Sequence, residues 1–146
     1  VIDGPRHMKG TLIAPDGTMV RGEFRDEEIV GPAFAYIDRE GETYFGEILD
    51  DERHGHGVLM MPNEDLYIGE FEAGEAAGYG TYYADIGEYV GAFAGDAPNG
   101  FGSFVGADGR VLQGRFVDGK PDGMVLVTAP DGSQTTATWA NGEMVE

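Results

Sequence analysis

The sequence predicts an all-β protein: one elongated, twisted antiparallel sheet of consecutive β-hairpins, with essentially no helix. Three observations predict it. A Gly-Glu-Phe step recurs as Gly22-Glu23-Phe24, Gly46-Glu47-Ile48, Gly69-Glu70-Phe71, Gly91-Ala92-Phe93 and Gly114-Arg115-Phe116, then fades at Ala137-Thr138-Trp139; the intervals are 24, 23, 22, 23 and 23 residues. A second glycine follows each step nine residues later, at Gly31, Gly55, Gly78, Gly100 and Gly123. No stretch combines a 3.6-residue apolar period with helix caps. Units this small cannot bury an apolar side alone, so the array is the functional object.

The elements follow in order along a single array, 1–146. Gly10-Thr11-Leu12-Ile13 ahead of Asp16-Gly17 matches a returning strand and makes residues 8–19 a half repeat. Full repeats then occupy 20–43, 44–66, 67–88, 89–111 and 112–134, and 135–146 is a capping half repeat expected to supply only a first strand. In the third repeat, Tyr67-Ile68-Gly69-Glu70-Phe71-Glu72 suits a strand with Tyr67 and Phe71 on one face and Ile68 and Glu70 on the other. Ala73 to Ala77 are expected to turn, and Gly78 to Tyr83 to return with Gly78, Gly80 and Tyr82 on one face. Asp16-Gly17, Glu40-Gly41, Asp108-Gly109 and Asp131-Gly132 supply turn chemistry between repeats.

Columns across the repeats indicate how hairpins stack. One holds Val20, Tyr44, Tyr67, Tyr89 and Leu112; another holds Phe24, Ile48, Phe71, Phe93, Phe116 and Trp139. Glycines at 55, 57, 78, 80, 100 and 102 leave a trough in which rings from a neighbouring strand can lie. Ala33 and Val125 occupy trough positions in the first and fifth repeats, so the pattern is cleanest in the middle three.

Bulk composition narrows the partners. Twenty-seven acids against nine bases give a formal charge of −18. Nucleic acid requires cations to displace its counterions, and an anionic leaflet attracts basic segments, so both are disfavoured. Basic proteins, cations or uncharged surfaces fit better, while an apolar face with no second sequence layer to bury it makes a homodimer a further expectation. There is no cysteine, which removes disulfide and thiol chemistry. Val1 in place of an initiating methionine suggests a processed chain or a fragment; the glycine-, alanine- and aspartate-rich composition suggests a bacterial source.

Those residues resemble the MORN (membrane occupation and recognition nexus) repeat, whose usual form is Tyr-x-Gly-Glu-Phe/Trp, two residues, Gly, three residues and Gly-x-Gly. The spans Tyr44 to Gly57, Tyr67 to Gly80 and Tyr89 to Gly102 match best; Gly74 keeps the turn glycine, while Asp51 and Asp96 replace it elsewhere. The resemblance implies an extended meander of hairpins without a closed core. It also implies protein association, scaffolding or lipid contact, since such arrays accompany a SET-domain lysine methyltransferase, junctophilins, plant phosphoinositide kinases and cytoskeletal scaffolds. Fold alone does not choose among these.

Candidate chemistry is sparse. His54 and His56 with nearby acids resemble part of a metal site, but they fall in columns holding Ala77, Asn99 and Asp122, and Tyr79, Phe101 and Met124, so no metal and no cofactor is expected. Serine occurs only at 103 and 133, outside any Gly-x-Ser-x-Gly elbow, and no catalytic residue is assigned. Two binding surfaces remain: an aromatic face of Tyr44, Tyr67, Phe71, Tyr82, Tyr89, Phe93, Phe104 and Phe116, and an acidic column of Glu23, Glu47 and Glu70. The ordinary alternatives are rings stacked on glycine within the chain and carboxylates that only face water. The expectation is a non-enzymatic interaction or scaffold module that binds a protein or itself; the alternatives are a regulatory accessory domain of a larger enzyme and a lipid-binding module.

Overall fold

Alternating side chains and regularly placed turn residues fold the described residues of this chain, as a computed structural model, into thirteen strands that pair with their sequence neighbours. The structure describes residues 7–26 and 28–145, and side chains from residue 9 onward. The strands are β1 (His7–Ile13), β2 (Met19–Arg25), β3 (Glu28–Arg39), β4 (Glu42–Leu49), β5 (Glu52–Met60), β6 (Leu66–Glu72) and β7 (Glu75–Ala84). They continue with β8 (Gly87–Ala94), β9 (Ala97–Gly106), β10 (Val111–Val117), β11 (Lys120–Thr128), β12 (Gln134–Ala140) and β13 (Glu143–Val145). Every pairing is antiparallel, the described residues contain no helix, and no second layer packs on the sheet.

Two details correct the expected units. The turn after Glu72 is two residues, Ala73-Gly74, and Glu75 already belongs to β7. The C-terminal cap is a short hairpin and not a lone strand, because Asn141-Gly142 returns the chain into β13, which pairs through Trp139↔Met144. Glu146 lies outside the described residues.

Turn chemistry explains the tight hairpins. Ala73-Gly74, Asp118-Gly119 and Asn141-Gly142 all place both central residues at positive φ, the geometry whose twist matches the flanking strands. Asp50-Asp51 and Gly95-Asp96 do the same without a glycine at the second position, at φ 63° for Asp51 and 68° for Asp96. Asp96 is compensated: its carboxylate accepts a 2.7 Å bond from the Ala76 amide. Successive hairpin tips are tied by backbone bonds from Gly74 N–H to Arg53 C=O, Asp96 N–H to Ala76 C=O and Gly119 N–H to Pro98 C=O. The tips therefore stack along one margin of the sheet.

β3 is the irregular strand. Toward β2 it pairs Val20↔Ala35, the position that Leu59 fills against Tyr44; toward β4 it pairs Ala35↔Gly46, the position that Gly57 fills against Gly69. Its register is thus displaced by two residues between its neighbours, and both Ala33 and Ala35 serve as small residues of the trough, at 6% and 3% exposure.

The two aspartate turns give a contrast to measure. Asp51→Gly relieves a left-handed conformation and is expected to raise stability by up to about 1 kcal/mol. Asp96→Gly removes the same strain but also a charge-assisted bond, for an expected net loss of about 1 kcal/mol. Denaturant midpoints of the two variants check the opposite signs.

Candidate interaction surface

Register divides the side chains into two faces, and they differ sharply. On the first, Tyr44, Tyr67 and Tyr89 leave β4, β6 and β8 and reach across the glycine of the next strand. A Cβ placed on Gly57 would sit 2.5 Å from the Tyr44 hydroxyl oxygen and 2.6 Å from its ring, and Gly80 and Gly102 are covered in the same way by Tyr67 and Tyr89. The cross-strand pairs Gly46↔Gly57, Gly69↔Gly80 and Gly91↔Gly102 make this close approach. Each hydroxyl then donates to a carbonyl three residues ahead: Glu47 at 2.5 Å, Glu70 at 2.7 Å and Ala92 at 2.9 Å.

That carbonyl lies at a bulge. Between Gly46↔Gly57 and Ile48↔Arg53, one β4 residue opposes three on β5, and the ladder is interrupted in the same way in the next three repeats. The first glycine of each Gly-x-Gly enables the bulge, with φ 60° at Gly55, 75° at Gly78 and 110° at Gly100. Only the second glycine forms the ring trough; the first has another neighbour. Glu47 and Glu70 fold over Gly55 and Gly78 and accept 2.6 Å bonds from the amides of His56 and Tyr79. These carboxylates are therefore half-buried acceptors within the bulge, in addition to their partial contact with water. Arg115 replaces this glutamate in the fifth repeat and pairs at 2.8 Å with Asp122.

The rings also pack on one another. Tyr44–Phe71, Phe71–Tyr67, Tyr67–Phe93, Phe93–Tyr89 and Tyr89–Phe116 form a continuous edge-to-face series with centroids 4.8 to 5.4 Å apart. Such contacts contribute about 0.5–1.5 kcal/mol each beyond burial. Arg53 closes one end, 5.9 Å from Tyr44 and 5.6 Å from Phe71, while donating to Gly74 C=O and Glu42. Of the aromatic residues expected to bind, Tyr44, Tyr67, Phe71, Tyr89, Phe93 and Phe116 are between 1% and 4% exposed. They present almost no surface. Tyr82, which donates to Asp65 at 2.6 Å, and Phe104 are half-buried against this series. Glu23 occupies β2 opposite Lys9 and Val30, apart from Glu47 and Glu70 by the intervening β3.

The opposite face is exposed and apolar, which the column analysis missed. One row of directly opposed residues runs Ile13, Met19, Tyr36, Phe45, Val58, Ile68, Thr81 and Val90 over eight consecutive strands. Beside it stand Tyr79 at 71% and Phe101 at 76% exposure. The signal was present in the sequence: each of these residues alternates with a member of the buried columns, and several are large and apolar. His56 sits among them, exposed, its Nδ1 3.7 Å from Glu47. Among the described residues no three His, Cys, Asp or Glu side chains gather as a metal site.

The buried device predicts coupled substitutions. In the fifth repeat Leu112 stands for the tyrosine and Val125, fully buried, for the glycine, so ring and trough change together. Gly80→Val alone is expected to lose roughly 1–3 kcal/mol. Adding Tyr67→Leu should recover about 1 kcal/mol or more of it; an additive double-mutant cycle would contradict the trough. Burial also pushes the hydroxyls of Tyr44 and Tyr67 up to about 12, and raises Tyr89. A raised tyrosine stabilises the fold fully below its unfolded value of about 10, and this stabilisation is lost as pH climbs through about 12. Tyr67→Phe should therefore lose about 1 kcal/mol at neutral pH, with a gap to wild type that narrows above about pH 10 in alkaline unfolding curves.

Comparison with known families agrees with this architecture. The MORN repeat model matches residues 1–19, 44–65, 67–87, 89–109 and 113–124. Residues 20–43, which contain the displaced strand β3, fall between matches. No curated protein matches the chain. MORN repeats are commonly modules of protein or lipid interaction, and the repeat itself is non-catalytic. With five matched segments covering well over half of its length, on a sheet built of the corresponding hairpins, this chain belongs to the MORN repeat family.

Proposed function

We propose that this chain is a non-catalytic protein-interaction module that engages its partner through the face opposite the tyrosine series. A single observation carries the reading. The aromatic face is consumed by intramolecular packing, while Phe34, Phe45, Ile68, Tyr79, Val90 and Phe101 on the other face are 42% to 76% exposed. Isolated exposed apolar residues are ordinary, but a contiguous row across a sheet marks a contact surface. The tyrosine columns then act from beneath: they hold the sheet rigid and fix the spacing of the exposed row. Glu47 and Glu70 lie along its border and lend it negative character.

The net charge of −18 favours a protein over an anionic lipid surface as the thing bound. It equally fits service as an accessory domain, since the sheet needs no chemistry of its own.

Phe45→Ser with Ile68→Ser tests the reading. Both side chains stand clear of the buried series, so the melting midpoint should hold within about 1 kcal/mol of wild type. Affinity capture from the source cell extract, quantified against wild type, should lose specific partners, and any concentration-dependent mass in light scattering should fall to monomer. An unchanged capture profile and unchanged mass would contradict the proposal.

A further inference from the structure

Resting on the interaction-module reading, we infer that the exposed face between β4 and β9 takes a cationic amphipathic segment: an apolar stripe flanked on both sides by Lys or Arg. The apolar centre comes from Phe45, Ile68 and Val90, with Met60 and Tyr83 beside them, all at least 40% exposed. The margins on either side are acidic. Asp50, Asp51, Glu72 and Glu75 lie on or beside the stacked hairpin tips, and Glu40, Glu64, Asp85 and Asp108 lie in or beside the turns at the opposite ends of the strands.

Cations are scarce on that strip: Arg110 pairs with Asp108 at 3.2 Å at its far margin. From Glu40 to Gly109 there are fifteen acids and one base, Arg53. Arg53 is turned to the buried face, held by Gly74 C=O and Glu42 beneath the Tyr44 and Phe71 rings. Glu88 sharpens the point. It stands inside the apolar strip, directly opposite Tyr83 on one strand and Val105 on the other, half-buried and with no hydrogen-bond or ion-pair partner among the described residues. A carboxylate partly desolvated between apolar neighbours is unfavourable until a cation meets it.

Dimensions agree with a helix as the shape of the segment. Six strands at about 4.8 Å spacing extend about 24 Å, the length of roughly sixteen helical residues. A second copy of this chain is the weaker occupant, because each copy brings −18 to the contact. Anionic lipid is disfavoured on the same ground.

The test uses the intact chain and three labelled helical peptides of about sixteen residues. One carries a leucine stripe flanked by lysines, the second replaces lysine by glutamate, and the third keeps lysine but replaces leucine by serine. Fluorescence anisotropy is expected to show the Leu/Lys peptide binding at least about tenfold more tightly than either of the others. Its affinity should fall as salt rises from about 0.1 to about 1 M and the screening length shrinks from about 10 to about 3 Å. Ile68→Ser with Val90→Ser should weaken it about tenfold, and Glu88→Gln by a few-fold, with circular dichroism confirming folded variants. Equal binding of the Ser/Lys peptide, or indifference to the face variants, overturns the inference. If the Leu/Lys peptide fails while wild-type chain self-associates more strongly at high salt through the same residues, the cationic partner falls and the interaction module stands. If no peptide binds and the face variants alter no association, both fall.

Discussion

The contact between a tyrosine ring and a glycine on the next strand is what the rest of this structure depends on. A sheet one layer thick has no opposing layer under which to hide apolar side chains, yet an antiparallel sheet needs one dry face to be stable. Here the sheet makes its own cover. Tyr67 lies over Gly80, closes against Phe71 and Phe93, and donates to the Glu70 carbonyl at the bulge. Burial, ring packing and backbone satisfaction are thus achieved by one side chain. The device works only if the covered position lacks a Cβ. Where the ring is absent, at Leu112 and Val20, the small position grows to Val125 or becomes alanine, so ring and trough change together.

Much of this was legible in the sequence because the repeat displays each column five times. The 23-residue period, the hairpins, the strand faces of Tyr67 and Phe71 and the ring trough all follow from spacing and alternation. What alternation could not reveal is the bulge. Gly55 and Gly57 look equivalent two residues apart, but Gly55 has a positive φ, so the neighbour of its missing Cβ is Glu47 and not a ring. A glutamate expected to face water becomes an acceptor for a backbone amide for the same reason. The displaced register of β3 depends on pairing with both neighbours, which no single-strand pattern encodes. The exposed apolar row escaped notice because the glycine and aromatic columns dominated the repeat, while the residues between them, such as His56, Tyr79, Phe101 and Met124, vary in type.

The proposed function rests on the asymmetry of the two faces. The chemically conspicuous face is closed, its aromatic residues packed on one another. The varied face is open, apolar along its centre and bordered by carboxylates that have few cations nearby.

The most direct test of this division is the reactivity of individual tyrosines in the native chain, read by nitration and peptide mass spectrometry. Tyr79, Tyr83 and Tyr36, exposed at 71%, 40% and 38%, should be modified rapidly under native conditions. Tyr44, Tyr67 and Tyr89, at 3%, 1% and 4%, should react only when the protein unfolds. Modification of Tyr67 in the folded protein at the rate of Tyr79 would mean that the tyrosine face is open to partners, and would contradict the assignment of structure to one face and contact to the other.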